Sequence, residues 1–124
     1  MFKKKCALFG TGPVFPVNDV GASVDFYCQT LGFTLDFVMG DPPDHGSVTR
    51  DKVGIQFTRS PEPFDARAYP GWTYFFVENI DLFYAELAAR GVNVTQALES
   101  RDHGMREFEI RDVNGFRLRF GQYL

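Results

Sequence analysis

Gly104-Met-Arg-Glu-Phe-Glu-Ile-Arg-Asp-Val-Asn-Gly-Phe-Arg-Leu-Arg-Phe-Gly121 alternates apolar and charged side chains on both sides of an Asn-Gly pair. Period-two alternation on either side of Asn-Gly is the strongest short-range signal of a β-hairpin. The other face carries two glutamates and three arginines, which is compatible with an exposed sheet surface or with a concave face that holds a polar ligand. The apolar face must be buried, and it comprises Phe108, Ile110, Phe116, Leu118 and Phe120.

Length and composition narrow the class of protein. The 124 residues predict a single domain, spanning residues 1–124, that buries about two thirds of its unfolded surface. A net charge of −3 argues against nucleic-acid binding, which requires a basic patch. No apolar run approaches the roughly 18 residues of a membrane span. Cys6 and Cys28 have neither metal-binding nor redox spacing and favour a reducing compartment, so we expect a cytoplasmic protein.

Two helices are predicted by apolar side chains at helical spacing. The first follows Asp19, a good N-cap residue, and its stripe is Val20, Val24, Tyr27 and Leu31. The second opens at Asn79-Ile80-Asp81 and ends at Gly91. Its predicted apolar stripe is Ile80, Phe83, Tyr84, Leu87 and Ala88.

The chain repeats one order of elements: a strand, a helix led by Asp or Asn, a glycine stop, then strands. Val17-Asn18-Asp19-Val20 corresponds to Val77-Glu78-Asn79-Ile80. The unit is βαβββ, with module one at about 8–60, a linker at about 61–71 and module two at about 72–122. Strands are predicted at 14–17, 33–39, 47–50, 53–59, 72–77 and 92–95, and a loop at 96–103, besides the hairpin.

Several short motifs resemble the glyoxalase/bleomycin resistance/dioxygenase superfamily, also called vicinal oxygen chelate. They are Pro13-Val-Phe-Pro-Val-Asn-Asp19, Phe26-Tyr27, Leu31-Gly32-Phe33, Gly104-x-Arg-Glu-Phe108 and Asp112-x-Asn-Gly115. The likeness is strongest to the bleomycin-resistance type, which carries a similar Gly-x-Arg-Glu-Phe segment and a Trp at the start of the fifth strand, as Trp72 does here. The resemblance implies an α+β fold of two βαβββ modules, with a curved, mostly antiparallel eight-stranded sheet and helices on its outer face. It also implies a homodimer, often with an exchanged N-terminal strand.

The resemblance further implies four metal-ligand positions in the metal-dependent members. In this chain they fall on Gly12, at or near Gln56, on Trp72 and on Arg119. Glycine and tryptophan offer no side-chain ligand for such a metal, and arginine is a permanent cation with donors only. Glutamine alone cannot hold a divalent ion that prefers four or more ligands. We therefore expect no metal and no other cofactor.

Taking the family ligand positions as inward, strand alternation gives an aromatic cavity with a few convergent charges, as is usual for a small-molecule site. Phe37 is added from the likeness to the bleomycin-resistance type, and His103 as part of a rim. Two alternatives remain: the aromatic residues could belong to a core or dimer interface, and Arg119 could simply pair with Glu107 across strands. The predicted ligand-binding residues are Phe37, Gln56, Trp72, Tyr74, Phe76, His103, Glu107, Glu109, Arg117 and Arg119.

Three functions remain open. The first is a metal-independent dimeric binding protein that sequesters an aromatic or cationic antibiotic such as a bleomycin-like drug. The second is a metal-dependent lyase or dioxygenase, against which the missing ligands count. The third is a dimeric scaffold or regulatory protein. Fold alone cannot choose among them, because one fold supports many functions.

Overall fold

The computed structural model describes residues 4–124, which form two βαβββ modules. The 3₁₀ turn Ala66–Ala68 lies in the segment between them. Module one contains β1 (Val14–Val17), α1 (Val20–Gln29), β2 (Thr34–Met39), β3 (His45–Arg50) and β4 (Val53–Arg59). Module two contains β5 (Trp72–Phe76), α2 (Ile80–Ala89), β6 (Asn93–Ser100), β7 (Met105–Arg111) and β8 (Arg117–Tyr123). The predicted α+β architecture with a repeated unit is confirmed.

The eight strands divide into two four-stranded sheets with the same internal order. The orders are β1-β4-β3-β2 and β5-β8-β7-β6. In each sheet the first strand pairs in parallel with the fourth, and the remaining pairs are antiparallel. Each helix packs against one face of its own sheet, so each sheet keeps a second, open face without a helix. Neither α1 nor α2, the two α-helices among residues 4–124, is long and apolar enough to cross a membrane.

The hairpin β7–β8 forms as its alternation predicts, and its turn is organised by a buried aspartate. The Oδ1 atom of Asp112 accepts hydrogen bonds from the backbone N–H groups of Asn114, Gly115 and Phe116, each at 2.9 Å. Gly115 has a φ of 101°, which favours glycine, and an added Cβ there would collide with the Arg67 side chain. All five residues of the predicted apolar face are buried.

Both helices bury most of their predicted stripes. Every predicted residue of the α1 stripe is buried, and Asp19 caps the helix by accepting a 2.9 Å hydrogen bond from the N–H of Ala22. On α2 the prediction for Ala88 is wrong, because that residue is exposed at the last turn. Asn79 precedes α2 in a left-handed conformation without a side-chain cap. The Oε1 of Gln122 accepts from the Ile80 N–H instead, at 2.8 Å.

The loop prediction is wrong for residues 96–100, because β6 continues to Ser100, whereas residues 101–103 lie outside the strands as predicted. Two register shifts interrupt its pairing with β7, one between Val94 and Gln96 and one between Gln96 and Glu99. A bulge adds an unpaired residue and breaks the period-two alternation by which a strand is identified. The second half of β6 therefore lacks the alternation by which the sequence would have identified it as a strand.

The two modules pack through their helix-bearing sides. The Tyr27 hydroxyl of α1 donates a 2.6 Å hydrogen bond to Oδ2 of Asp112, and the ring of Phe15 stacks on Phe116 at 4.6 Å between centroids. Arg50 of β3 reaches Glu86 of α2 with an Nη1–Oε2 distance of 2.7 Å. Since these contacts use the helix side of each sheet, the two open faces point away from the contact between modules.

We expect Tyr27→Phe to lower the free energy of unfolding by about 1–3 kcal/mol, because it leaves a buried carboxylate oxygen of Asp112 without its donor. Urea denaturation followed by circular dichroism measures the change. Tyr84→Phe is the matched control: Tyr84 packs edge-on against Phe108, and its hydroxyl has no hydrogen-bond partner within residues 4–124. Equal losses of unfolding free energy in the two variants would show that the Tyr27–Asp112 hydrogen bond contributes no more to stability than an unpaired tyrosine hydroxyl.

Candidate functional site

The open face of the second sheet gathers eight of the ten predicted ligand-binding residues. Strand register sets the neighbours: Trp72 lies opposite Arg117, while Arg119 lies between Tyr74 on one side and Glu109 on the other. His103 joins them from the segment between β6 and β7. The eight residues are Trp72, Tyr74, Phe76, His103, Glu107, Glu109, Arg117 and Arg119.

Trp72 lies against two guanidinium groups. The Cζ atoms of Arg117 and Arg119 are 4.8 Å and 4.4 Å from the centroid of its ring, within the range of cation–π attraction. The arginines are largely covered, with side-chain exposures of 21% and 16%, whereas Trp72 is 49% exposed. The indole is therefore supported from within the protein and presents aromatic surface to solvent.

One buried carboxylate holds both arginines in place. Oε1 of Glu109 accepts from Nε of Arg117 and from Nη2 of Arg119, each at 3.0 Å, and Oε2 accepts from Oγ1 of Thr95 at 2.7 Å. Burial raises the pKa of Glu109, but the hydrogen bonds from Thr95, Arg117 and Arg119 outweigh it and lower the pKa below its usual range. The alternative pairing of Arg119 with Glu107 is not found among the described residues, since Glu109 lies directly opposite Arg119.

Glu107 belongs to a second cluster, further along β7. Its Oε2 accepts a 2.6 Å hydrogen bond from the Tyr74 hydroxyl, whose pKa is raised to about 12 by burial and by this bond. Tyr74 reaches Glu107 by crossing β8 at Gly121, where any Cβ would collide with the Tyr74 hydroxyl. The absence of a side chain at Gly121 thus makes the Tyr74–Glu107 contact possible.

The same end of the face carries further charge and aromatic surface. His103 Nε2 is 3.6 Å from Oε2 of Glu107, and Arg101 Nε is 3.9 Å from its Oε1. Phe76 is 65% exposed and stacks on Tyr123 at 5.6 Å between ring centroids. Trp72, Tyr74 and Phe76 form an aromatic floor on this face. Because Trp72 and Phe76 are both exposed, the aromatic floor is open to solvent in a single chain.

Phe37 and Gln56, the other two predicted residues, lie on the open face of the first sheet. They are linked through His45, whose ring stacks on Phe37 at 5.7 Å and whose Nε2 lies 3.0 Å from Oε1 of Gln56. A register shift between Leu35 and Phe37 interrupts the pairing of β2 with β3, and after it Phe37 lies opposite Ser47. The first sheet makes no strand pair with the second among residues 4–124, so one chain does not join these two residues to the other eight.

Sequence reasoning missed three residues of these faces. His45 falls outside the predicted strand at 47–50, but it begins β3, where His45, Ser47 and Thr49 alternate with Gly46 and Val48; this alternation was a usable signal. Thr95, the donor to Glu109, was hidden by the irregular register of β6. Tyr123 was placed beyond the hairpin, although period-two alternation carries the inward face from Arg119 past Gly121 to it.

The residues at the four expected metal-ligand positions do not suit a metal. Trp72 and Arg119 are in contact with each other, Gln56 is paired with His45, and Gly12 has no side chain. Across residues 4–124, no group of three or more His, Cys, Asp or Glu side chains is arranged to hold a metal ion. A site built on these positions would place a cation beside the Arg119 guanidinium.

A separate groove has none of Trp72, Tyr74 and Phe76 in its lining. Its volume is about 770 Å³, and it runs between the linker and the β7–β8 turn, where Phe64 and Arg67 face Arg111, Asp112 and Asn114. Asp112 is already committed to the turn and to Tyr27, and Asn18 binds the backbone of Phe64 through both ends of its amide. The groove is thus the seam between modules and its polar groups stabilise the fold.

Two βαβββ modules, each with a helix on one side and an open sheet face on the other, define a protein of the vicinal oxygen chelate class. Residues 12–120 match the profile of the Glyoxalase/Bleomycin resistance protein/Dioxygenase superfamily. The chain belongs to this superfamily. No curated protein sequence gave a significant match to the chain.

Solved structures with the same fold include proteins that are described by what they bind. The bleomycin-binding protein from bleomycin-producing Streptomyces verticillus, complexed with copper(II)-bleomycin, is 28% identical, with a TM-score of 0.75 over 94% of this chain and 97% of that one. TnmS3, an antibiotic binding protein from Streptomyces sp. CB03234, is 20% identical, with a TM-score of 0.75 over 97% and 100%. TioX from Micromonospora sp. ML1 is 21% identical, with a TM-score of 0.76 over 93% and 100%.

We expect the contribution of Glu109 to stability to depend on pH. Because its pKa is lowered in the folded protein, its contribution is present above the unfolded value of about 4.3 and is lost as the pH falls through the folded pKa. Glu109→Gln should lower the free energy of unfolding by about 1–3 kcal/mol at pH 7, and this difference from the wild type should shrink in acid. Urea denaturation between pH 7 and pH 3 measures the free energy of unfolding of the wild type and of Glu109→Gln at each pH. Glu99→Gln is the control: it removes an exposed carboxylate on the neighbouring strand and should change neither the free energy of unfolding nor its pH dependence. A difference between Glu109→Gln and the wild type that stays constant from pH 7 to pH 3 would contradict the expectation.

Proposed function

We propose that this protein binds a planar aromatic small molecule on the exposed face of Trp72 and does so without a metal ion. The observation that carries the proposal is a half-exposed indole held on two guanidinium groups that a buried carboxylate fixes. Such a surface is pre-ordered, so little conformational entropy is lost when a flat ligand stacks on it. The remaining predicted residues of this face would line the same site.

The proposal favours binding over catalysis because both inward carboxylates are already committed. Both oxygens of Glu109 accept hydrogen bonds from Thr95 and the arginines, and Glu107 accepts a hydrogen bond from the Tyr74 hydroxyl. A general base needs a free lone pair within hydrogen-bond reach of the proton that it removes. The hydrogen bonds from Thr95 and the two arginines lower the pKa of Glu109 and make it a weak base, while Tyr74 occupies Oε2 of Glu107.

The relatives indicate which ligands to test first. The Streptomyces verticillus protein is described as bleomycin-binding and TnmS3 as antibiotic-binding. We extend that role to this chain as a proposal: sequestration of an antibiotic with a planar aromatic part. The bleomycin class is the first to screen because its binding protein shares 28% of its residues with this chain.

We also propose that the functional unit is a homodimer. Apolar residues of β1 and β2 are exposed in the single chain, including Val14, Leu35, Phe37 and Met39, at 52%, 50%, 41% and 53%. The segment before β1 carries Leu8 and Phe9, both fully exposed. Apolar side chains exposed at both edges of the first sheet are candidates for an interaction site, and a second copy would cover them. A second copy could also bring the Phe37 face to the Trp72 face, which one chain does not do.

Trp72→Ala should weaken the binding of 2-naphthalenemethanol, a neutral planar probe, by about tenfold or more, because the stacking surface is lost. Calorimetry measures the affinity, and a repeat with EDTA should give the same value if no metal takes part. Tyr69→Ala is the matched control, since it removes a ring of similar exposure (48%) from outside the open face. Binding that survives in Trp72→Ala or vanishes with EDTA would refute the proposal. Copper(II)-bleomycin, titrated in the same way, tests the antibiotic class.

The double variant Leu8→Ser/Phe9→Ser should weaken self-association by about tenfold or more, because it removes two large apolar side chains from the proposed interface. Analytical ultracentrifugation measures the association constant. Leu82→Ser is the control: it also removes an exposed leucine (73%), but from α2, away from the open faces. A wild-type chain that remains monomeric at high micromolar concentration would exclude the homodimer.

A further inference from the structure

The charge around Trp72 is unbalanced. Arg117 and Arg119 both lie under the indole, and Glu109 is the one carboxylate that contacts them among the described residues. Two guanidinium cations against one carboxylate leave one net positive charge at the place where a ligand would stack. Because the arginines are mostly covered, water screens this charge less than it would at an exposed surface.

The arginines also retain unused donors. A guanidinium carries five N–H groups and accepts nothing. Arg119 makes one hydrogen bond to a described residue, from Nη2 to Glu109, and its buried Nε–H has no partner there. Arg117 donates one hydrogen bond to the same carboxylate, from Nε, and its Nη2 lies 2.9 Å from Oε1 of Glu109 as an ion pair. The site therefore offers donors and positive charge together, which is the combination that recognises an anionic oxygen.

Negative charge is concentrated at the other end of the same face. Glu107 and Glu99 are opposite each other on β7 and β6, level with Phe76 and one step along the strands from the level of Tyr74 and Arg119. Glu107 is two residues from Glu109 along β7, so this end lies roughly 7 Å or more from the arginine cluster. Arg101 approaches both glutamates and offsets part of their charge. The face is polarised along its strands, with its positive end at Trp72.

We propose that the ligand stacked on Trp72 is an aromatic acid: a planar ring system bearing a carboxylate or phenolate oxygen, which Arg117 and Arg119 select over neutral and cationic analogues. The inference rests on the proposed function, since it presupposes binding at Trp72. It departs from the expectation of a cationic ligand because the net positive charge of the arginine pair beneath the indole would repel a cationic group stacked on its exposed face.

Three probes with one ring system test the selection: 2-naphthoate, 2-naphthalenemethanol and 2-naphthylmethylammonium. We expect wild-type protein to bind the acid at least about tenfold more tightly than the neutral alcohol, and the ammonium compound most weakly. Raising the salt concentration should weaken the binding of the acid and leave the binding of the alcohol unchanged, because only the acid gains affinity from its charge. Calorimetry gives the affinities. Trp72 is the only tryptophan, so its indole N–H signal in the NMR spectrum reports binding at this position.

Variants separate the charge from the stacking. Arg119→Gln should reduce the affinity for the acid by about tenfold more than that for the alcohol, because both probes lose support of the indole and only the acid also loses the charge. Arg119→Lys keeps the charge, so it should retain more of the preference for the acid and also guards against a Gln variant that fails to fold. Arg59→Gln is the control, because Arg59 is exposed at the end of β4 and its removal changes the net charge equally away from the open face.

The outcomes separate the two proposals. If none of the three probes shifts the indole signal of Trp72, the proposed function fails and the inference fails with it. If the alcohol or the ammonium compound shifts the signal and binds as tightly as the acid, the proposed function stands and the selection of an anion is wrong. Equal losses for all three probes in Arg119→Gln would likewise overturn the selection, because the arginine would then only support the indole.

Discussion

The structure depends on the buried side chain of Asp112. One carboxylate oxygen takes three backbone N–H groups of the β7–β8 turn, and the other takes the hydroxyl of Tyr27 from the first module. The first set of bonds fixes the register of the hairpin, and the second ties the two modules together. Burial raises the pKa of Asp112, while its hydrogen bonds oppose that change, so the site holds a carboxyl group that is costly to bury and fully used.

The register fixed at that turn determines which charges meet on the open face. With Asp112 at the turn, Glu109 lies opposite Arg119, and Glu107 lies opposite Gly121. A slip of one residue would turn every side chain of the hairpin to the other face. The pairing of Glu109 with two arginines, and the passage of Tyr74 across Gly121 to Glu107, are thus consequences of one turn. The same pairing with the arginines lowers the pKa of Glu109.

The arrangement of modules explains why a single chain offers open surfaces rather than an enclosed site. Its two helix-bearing sides are buried against each other through Phe15, Tyr27 and Arg50, which leaves both sheet faces outward. A ligand on one face alone would remain half in solvent. Small-molecule sites normally bury most of the ligand surface, so a second wall is needed. The exposed apolar residues of the first sheet provide a surface from which a second copy could supply it.

The sequence by itself determined the repeated βαβββ order, the hairpin with its buried apolar face, the α1 stripe and the set of residues on the second open face. The first three follow from local periodicity and turn chemistry, which need no knowledge of distant contacts. The fourth also used the resemblance to the superfamily, which implied the inward face. The sequence did not predict the full length of the bulged strand β6, because a bulge breaks the alternation on which such a prediction depends.

Only the tertiary structure decided how the predicted residues are partnered and divided. Phe37 and Gln56 share an expected cavity with Trp72 in the sequence pattern, yet they lie on a separate sheet. Periodicity gives the face on which a side chain lies, but not which sheet will oppose that face. Likewise, the choice of Glu109 over Glu107 as the partner of Arg119 depends on cross-strand register, which the turn at Asp112 sets and the alternation alone leaves open.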